Sequence, residues 1–269
     1  MQLNLLFVGD IVGGPGQRVL RTGIETTVRE HNVSCVIVNA ENAAGGSGIT
    51  PAIFEKILKC GANLITLGDH IYRRRESISL LEESDKIVRP ANLPAQAPGK
   101  EHAVYETAGG HKVAVISLLG RLFMRLPANC PFAAADRVLG EIPKDVQIIV
   151  VDMHAEATSE KIAMGWHLDG RVSAVIGTHT HVPTADERVL PRGTAYITDV
   201  GMTGPYDSVL GRVKERVVKT MITAVPSRFD VAKEDVRMCG AVVSVDTTAG
   251  TAVSIRRIRF DAPAEAQQT

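Results

Sequence analysis

Closely grouped cysteines are missing from this 269-residue chain. The four cysteines are widely spaced, at Cys35, Cys60, Cys130 and Cys239, and none belongs to a Cys-x-x-Cys pair. This spacing argues against a thiolate zinc knot and against a small disulfide scaffold, because both need several cysteines near one another in the sequence. We therefore expect four reduced thiols in a cytoplasmic protein.

An excess of charge of either sign is missing as well. Thirty lysine and arginine residues balance thirty aspartate and glutamate residues. Nucleic acid and anionic membrane are therefore not the leading partners, since both attract proteins through an excess of positive charge. No apolar run approaches the length of a membrane span, and the N-terminus carries neither a basic region nor a cleavage-site pattern. These features predict a cytoplasmic protein without a membrane partner.

Nucleotide-binding loops of the common kinds are also absent. The segment Gly13-Gly14-Pro15-Gly16 does not match the dinucleotide fingerprint, and it lacks the Lys-Ser/Thr pair of a P-loop. Nucleotide binding by either route is disfavoured.

The N-terminal part of the chain alternates short apolar runs with helix-length segments. Leu3–Val8, Ser34–Val38 and Asn63–Leu67 have the composition of buried strands, and the segments between them, Gln17–Glu30 and Pro51–Cys60, that of helices. This β-α-β-α-β order predicts a sheet that is at least partly parallel.

The rest of the chain adds an antiparallel component. Ala103–Thr107 and Lys112–Leu118 flank a Gly-Gly turn and predict a hairpin. Further strands are predicted at Gln147–Val151, Arg171–Ile176, Thr194–Thr198, Gly240–Val245 and Ala252–Arg259, and helices at Ser159–His167 and near Val213–Ala224. Because no repeat or linker interrupts this series, we predict a single α/β domain over residues 1–260 and a disordered tail over 261–269.

Potential metal ligands follow the ends of five predicted strands. His179 and His181 come after one strand, and in extended backbone residues i and i+2 project to the same side, so both rings could face one pocket. The other strand ends supply Asp10, Glu41 with Asn42, Asp69 with His70, and His154. Taken singly, each could be a helix cap, a turn residue or a buried histidine. Their recurrence at the carboxyl ends of strands, where open α/β sheets place their sites, predicts one shared metal site.

The mixture of ligand types indicates the class of metal. Carboxylates, an amide and imidazoles together suit Fe, Mn, Zn or Co, whereas an all-oxygen site would suit Mg or Ca. The candidate ligands are Asp10, Glu41, Asn42, Asp69, His154, His179 and His181. This set exceeds what one tetrahedral ion needs and is enough for two ions that share a bridging carboxylate. Paired ions roughly 3.5–4 Å apart are suited to displacement reactions at phosphorus.

Several longer motifs resemble those of the YmdB-like metallophosphoesterases. The motifs are Gly9-Asp10-Ile11-Val12-Gly13, Asn39–Gly46, Arg89-Pro90-Ala91-Asn92, Asp152–Lys161, Gly177–Asp186 and Thr198–Pro205. The resemblance implies a calcineurin-like α/β fold, a four-layer α-β-β-α sandwich of two mixed β-sheets flanked by helices. It also implies a dinuclear centre, most often of iron or manganese. The implied activity is hydrolysis of cyclic nucleotides by a phosphodiesterase, notably of 2′,3′-cyclic ones, with 3′,5′-cyclic ones as an additional option.

The resemblance further implies which residues bind the first metal. Asp10 and His181 would be its ligands, Asn42 would lie beside it or on it, and Glu41 would bridge the two ions.

For the second metal, the resemblance implies Asp69, His154 and His179 as ligands, and it makes the adjacent His70 a proton donor. The chemistry supports that role independently. Once a metal-bound hydroxide attacks phosphorus, the departing alkoxide needs a proton, and an imidazole that binds no metal titrates in a useful range.

One position departs from the family pattern. The third family motif reads Gly-Asn-His, whereas this chain has Gly68-Asp69-His70. A carboxylate in place of a neutral amide adds a negative charge. We therefore expect Asp69 to hold the second metal more tightly, to weaken its Lewis acidity and to favour the protonated form of His70. Metal preference is the property that this departure affects most.

Two other function classes stay open from the sequence. One is a regulatory or binding protein that retains metal but hydrolyses its substrate slowly. The residue that favours this class is Asp69, which is expected to weaken the Lewis acidity of the second metal. The other is a different metallohydrolase, such as an amidohydrolase, which also uses a His-x-His pair. In amidohydrolases the pair lies near the N-terminus, whereas here it follows several other candidate ligands, so the order of ligands argues against that class.

The expected partner is a small cyclic nucleotide, with RNA ends as a wider option and homo-oligomer formation left open. Two weaker signals bear on the substrate. Arg73-Arg74-Arg75 could attract a phosphate, but a solvated helix face explains the run better. Trp166, Phe123 and Tyr206 could stack on a base, but core packing explains each of them as readily.

Overall fold

The computed structural model describes residues 1–263. Its elements in chain order are β1 (Gln2–Val8), α1 (Gly13–His31), β2 (Val33–Asn39), α2 (Pro51–Lys59), β3 (Leu64–Thr66), α3 (Ser77–Glu83), β4 (Ile87–Val88), β5 (His102–Glu106), β6 (Lys112–Leu119), α4 (Pro131–Glu141), β7 (Ile148–His154), α5 (Thr158–Leu168), β8 (Ala174–Thr178), β9 (Arg188–Val189), β10 (Ala195–Ile197), β11 (Gly204–Pro205), α6 (Lys214–Thr223), β12 (Val236–Asp246) and β13 (Ala252–Asp261).

The strands form two mixed sheets. In the first, the order is β11-β12-β1-β2-β3-β4, and β13 pairs with β12. Strands β1 to β4 run parallel there, while β12 is antiparallel to β1. In the second sheet, the order is β5-β6-β7-β8-β10-β9, with β6, β7, β8 and β10 parallel. The predicted hairpin is confirmed, because β5 is antiparallel to β6.

Alternate side chains of a strand pack into different hydrophobic cores on the two faces of its sheet. In β1, Leu5 and Phe7 pack into a central core that includes Val115 of the second sheet. Leu6 points the other way and packs into a core with Leu20 of α1. A third core lies between the second sheet and helices α4 and α5. Since successive residues of a strand face opposite sides, one sheet can cover two cores. The predicted four-layer α-β-β-α sandwich is confirmed.

Helix α1 starts four residues earlier than the sequence pattern predicts, because its first turn contains the glycine-rich segment. Gly13 has a φ of 60°, and a Cβ on Gly16 would lie 2.3 Å from the Thr203 carbonyl oxygen. Pro15 suits the first turn of a helix, where its missing N–H removes no hydrogen bond. These residues therefore set the close approach of α1 to the strand-end loops.

The predicted start of the tail, at residue 261, falls on an ordered residue. Asp261 is the last residue of β13, and the Ala262 N–H donates to the Val236 carbonyl at 2.9 Å. The rest of that prediction, over 264–269, lies outside the described residues. Over residues 1–263, no helix is both long enough and apolar enough to cross a membrane.

Candidate metal centre

All of the candidate ligands lie at or just beyond the carboxyl ends of parallel strands from both sheets. Strands β1, β2 and β3 deliver the candidates from the first sheet, and β7 and β8 deliver those from the second. The side chains meet where the ends of the two sheets face each other, in the arrangement that the recurrence at strand ends predicts.

One group of ligand atoms surrounds the His154 ring. The His154 Nε2 lies 3.1 Å from Glu41 Oε2, 3.3 Å from Asp69 Oδ1 and 3.1 Å from His179 Nδ1. The four residues each offer an atom within 4.8 Å of all the others. Two imidazoles and two carboxylates converging on one small volume match the donor set of a divalent transition metal.

A second group lies around Asp10. Its Oδ1 is 3.9 Å from His181 Nε2 and 3.9 Å from His154 Nδ1. This oxygen is buried and has no hydrogen-bond partner among residues 1–263. Burial raises the pKa of Asp10, and the charges of His181 and His154 only partly oppose it. A buried carboxylate oxygen without a donor is costly. A cation held by Asp10 and His181 would satisfy it, so these residues fit a metal ion.

Glu41 and Asn42 connect the two groups. The Asn42 side-chain amide donates to Glu41 Oε1 at 2.9 Å, and its nitrogen lies 3.2 Å from His181 Nε2. Glu41 Oε2 faces His154, so the carboxylate spans the space between the groups. Gly68 leaves room for this contact, since a Cβ there would lie 2.1 Å from Glu41 Oε2.

His70 is held at the edge of the cluster with one ring nitrogen free. Its Nδ1 lies 2.7 Å from the carbonyl oxygen of the Asn42 side chain and 3.4 Å from Glu41 Oε1. Its Nε2 has no partner among the described residues. Burial lowers the pKa of His70, but the hydrogen bond and the charge of Glu41 outweigh it, so the pKa is raised overall.

A buried hydrogen-bond relay fixes the tautomer of His154. Asp152 accepts a hydrogen bond from Thr178 Oγ1 at 2.6 Å, and that hydroxyl lies 2.8 Å from His154 Nδ1. Because the hydroxyl hydrogen is used on Asp152, the Thr178 oxygen accepts the hydrogen of His154 Nδ1. The lone pair of His154 Nε2 therefore faces the cluster. Partners behind a ligating histidine commonly fix its orientation in this way.

The two histidines of the His-x-His pair do not lie in extended backbone. Strand β8 ends at Thr178, and His179 and His181 have φ values of 94° and 66°. The interpretation based on strand alternation is therefore wrong. The rings face different groups, His179 towards His154 and His181 towards Asp10. A positive φ at a residue with a side chain is unfavourable and persists only where the surroundings hold it.

A buried ion pair holds this strained segment. Lys161 Nζ donates to the Thr178 carbonyl at 2.6 Å and to Asp199 Oδ2 at 2.8 Å. The same carboxylate oxygen accepts from the N–H and the hydroxyl of Thr180, at 3.1 and 2.8 Å. Lys161 and Asp199 are both fully buried. The pair thus fixes the residues on both sides of His179.

Asp152, Lys161 and Asp199 lie in the motifs that resemble the family, but no supporting role was predicted for them from the sequence. Asp152 had a usable signal, because an Asp two residues before His154 in a strand projects to the same side. Lys161 carries no such signal, since a lysine in a helix is usually solvent-exposed.

Replacing Asp69 by Asn tests the departure from the family motif. Asp69 Oδ1 lies 3.3 Å from His154 Nε2 and 3.5 Å from His179 Nδ1. Burial opposes ionisation of Asp69, but its hydrogen bonds to these histidines outweigh it and lower its pKa. We expect Asp69→Asn to weaken metal binding by about tenfold or more, because one ligand charge is lost, and to raise turnover at saturating metal. Metal titration by calorimetry and kcat measured at saturating metal provide the check. Identical metal retention and kinetics would refute the expectation.

Comparisons with known proteins find relatives that match almost the whole chain. The sequence model of the family described as YmdB-like protein matches residues 6–258. A 2′,3′-cyclic-nucleotide 2′-phosphodiesterase of Bacillus subtilis is 45% identical over 256 residues, which cover 95% of this chain and 96% of the relative.

Solved structures are similar over the whole fold. A crystal structure of a novel phosphatase from Mycoplasma pneumoniae has a TM-score of 0.91 and 30% identity, covering 100% of this chain and 97% of the other. A hypothetical protein from Thermus thermophilus has a TM-score of 0.90 and 39% identity, covering 97% of this chain and 100% of the other.

Proposed function

Because the chain belongs to the YmdB-like family, we propose that it hydrolyses 2′,3′-cyclic nucleotides with two metal ions held in the cluster described above. The family and its fold make it a phosphodiesterase of the metallophosphoesterase class. The observation that carries the finer proposal is the convergence of carboxylates and imidazoles around His154 and around the unpartnered Asp10 oxygen.

In this proposal each ion has its own ligands. Asp10 and His181 hold the first, with Asn42 beside it, and Glu41 lies between the two. Asp69, His154 and His179 hold the second. Iron or manganese suits this donor set best, with zinc or cobalt as alternatives. When bound, the ions supply Lewis acidity towards the phosphate and a water of lowered pKa.

His70 supplies a proton in this proposal. In the protonated ring, Nδ1–H donates to the Asn42 side-chain oxygen, so the Nε2–H is free to donate to a leaving oxygen. His70 lines a cavity of about 200 Å³ together with Asp69 and His179. In the metal-free protein burial lowers the pKa of His70, but the hydrogen bond and the charge of Glu41 outweigh it and raise the pKa overall, which favours the protonated ring there. Cleavage of the bond between phosphorus and the 2′-oxygen, with that oxygen protonated, leaves a 3′-monophosphate.

Replacing His70 by Ala separates proton donation from metal binding. We expect kcat for adenosine 2′,3′-cyclic phosphate to fall by about 10²- to 10⁴-fold, the usual contribution of a general acid, with metal content unchanged. With bis(p-nitrophenyl) phosphate the loss should be much smaller, because p-nitrophenolate leaves readily without a proton. Steady-state kinetics on both diesters provide the measurement. An equal loss on both would show that His70 acts by another route.

The function itself is tested with metal-free protein reconstituted with Mn²⁺ or Fe²⁺. The substrate panel contains adenosine 2′,3′-cyclic phosphate, adenosine 3′,5′-cyclic phosphate and bis(p-nitrophenyl) phosphate. We expect the highest kcat/KM for the 2′,3′-cyclic nucleotide, with 3′-AMP as the product. Retained metal with no turnover of any diester would instead favour the regulatory protein.

A further inference from the structure

The cluster opens into two cavities that share part of their lining. The inner cavity, of about 200 Å³, has His70 and His179 on one side and Phe123 on the other. The outer cavity, of about 300 Å³, lacks the histidines. Asp69, Arg73 and Arg125 line both cavities, whereas Phe123 lines only the inner one. A molecule whose phosphate lies at the histidines would therefore meet Phe123 in the inner cavity, and its far end would enter the outer cavity beside the two arginines.

Phe123 has no packing role that explains its position. It is 85% exposed and has a φ of 64°, an unfavourable conformation for a phenylalanine. The loop around it is nevertheless held in place. Glu160 accepts hydrogen bonds from the Arg121 and Leu122 N–H groups at 3.0 Å, and Leu126 packs against a core. The loop thus presents a large apolar ring to the cavity at a cost in free energy, which is the pattern of a binding platform.

The arginine run resolves into different roles. Arg74 is structural, because its guanidinium donates to the Ala44 carbonyl at 2.8 Å and to the Ser47 carbonyl at 3.2 Å. The side chains of Arg73 and Arg125 make no hydrogen bond or ion pair among residues 1–263. Asp69 lines the same cavities but forms no ion pair with either arginine among residues 1–263. Two guanidinium groups that line one cavity without an ion-pair partner suit a phosphate ligand.

We propose that Phe123, Arg73 and Arg125 form a nucleotide subsite in which the Phe123 ring stacks on the base and the two arginines bind a phosphate that is not hydrolysed. The reason for a second phosphate is geometric. The reacting phosphate belongs with His70 and His179 in the inner cavity, whereas both arginines also line the outer cavity, which has no histidine. This inference rests on the proposed function and deepens it. The preferred substrate is a nucleoside 2′,3′-cyclic phosphate that also carries a phosphate on its 5′-oxygen.

Kinetics on three substrates test the subsite. They are adenosine 2′,3′-cyclic phosphate, its 5′-phosphorylated form, and glycerol 1,2-cyclic phosphate, which keeps the reacting ring but has no base. We expect Phe123→Ala to lower kcat/KM by about tenfold to a hundredfold on both nucleotides and much less on the glycerol diester, since stacking is lost only where there is a base. Phe123→Tyr, which keeps an aromatic ring, should restore most of the loss.

The arginine variants should lower kcat/KM only for the substrate that carries a 5′-phosphate. We expect Arg73→Gln and Arg125→Gln each to cost about tenfold in kcat/KM on the 5′-phosphorylated substrate and little on the other two. Arg75→Gln is the matched control, because Arg75 is exposed but lines neither cavity. A dinucleotide ending in a 2′,3′-cyclic phosphate shows whether the second phosphate can be a diester in an RNA end. Faster turnover of the dinucleotide would identify RNA ends as the source, and faster turnover of the 5′-monophosphate would identify mononucleotides.

Binding measurements separate this proposal from the proposed function. Calorimetry on the metal-loaded protein compares adenosine 3′,5′-bisphosphate with 3′-AMP, and it needs no turnover. Tighter binding of the bisphosphate, lost in Arg73→Gln, supports the subsite even if no diester is hydrolysed. Equal affinities for both ligands, or equal losses in Phe123→Ala on all three substrates, would overturn the subsite while leaving the hydrolase function intact.

Discussion

We expect the replacement of Glu41 by Gln to lower kcat for 2′,3′-cyclic nucleotides by about a thousandfold or more, and to reduce the metal content of the purified protein. The reason is its position. Glu41 is 1% exposed, its Oε2 lies 3.1 Å from His154 Nε2, and its Oε1 lies 3.4 Å from His70 Nδ1. In the two-metal proposal, a neutral amide would not supply the negative charge that two neighbouring cations need, and the electrostatic contribution of such a group is large in a buried site. Metal analysis and steady-state kinetics give the two readouts.

Glu156 provides the matched control for that variant. Its Oε2 lies 3.2 Å from His179 Nε2, but its side chain is 51% exposed. Glu156→Gln removes the same charge near the same cluster without removing a buried ligand, so kcat and metal content should change less than about threefold. Full metal content and activity in Glu41→Gln would contradict the assigned position of Glu41 between the ions.

We expect the replacement of Lys161 by Met both to destabilise the protein and to weaken metal binding. The change leaves Asp199 as a buried charge without its partner, which costs about 3–5 kcal/mol in the free energy of unfolding. It also frees the Thr178 carbonyl, so His179 and His181 lose part of the support for their positive φ values. Urea unfolding of the metal-free protein measures the first effect, and metal titration measures the second.

A double variant separates the two effects. Lys161→Met combined with Asp199→Val removes both charges, so the part of the loss that comes from the unpaired charge should return. The part that comes from the donors of Thr180 and Gly201, which lose their acceptor, should remain. Metal affinity should stay low, because Thr180 no longer has a carboxylate to bind. Recovery of both properties would show that the ion pair has no role in positioning the histidines. Lys112→Met, which breaks an exposed ion pair with Asp145, should leave both readouts unchanged.

The sequence reveals the strands and the ends that carry ligands, because both signals are local. The apolar run of β1 and the residues that follow it, ending in Asp10, are contiguous in the chain. Helix α3 was missed because its seven residues are too few to show a helical period. Strands β4, β9 and β11 were missed for the same reason, since each has two residues. Helix α4 was missed as well, although Pro131 at its start and the helical spacing of Ala134, Ala135 and Val138 are signals that the sequence carries.

The supporting structure of the site could not be predicted, because it depends on contacts between distant residues. Lys161 becomes buried only where β8 and the loop after β10 bring the Thr178 carbonyl and Asp199 to it. The positive φ of His179 and His181 is likewise a tertiary effect, since local preference favours extended backbone there. Arg73 and Arg74 are identical in sequence terms, and only the fold decides that Arg74 binds the Ala44 and Ser47 carbonyls while Arg73 faces the cavity.

The most direct test of the two-metal proposal is the hydrolysis rate of adenosine 2′,3′-cyclic phosphate, measured as metal-free protein is titrated with Mn²⁺ while bound metal is counted. Two ions held by Asp10 and His181 on one side and by Asp69, His154 and His179 on the other predict a rate that reaches its maximum at two bound ions per chain. A maximal rate at one bound ion, or hydrolysis without metal, would contradict the proposal.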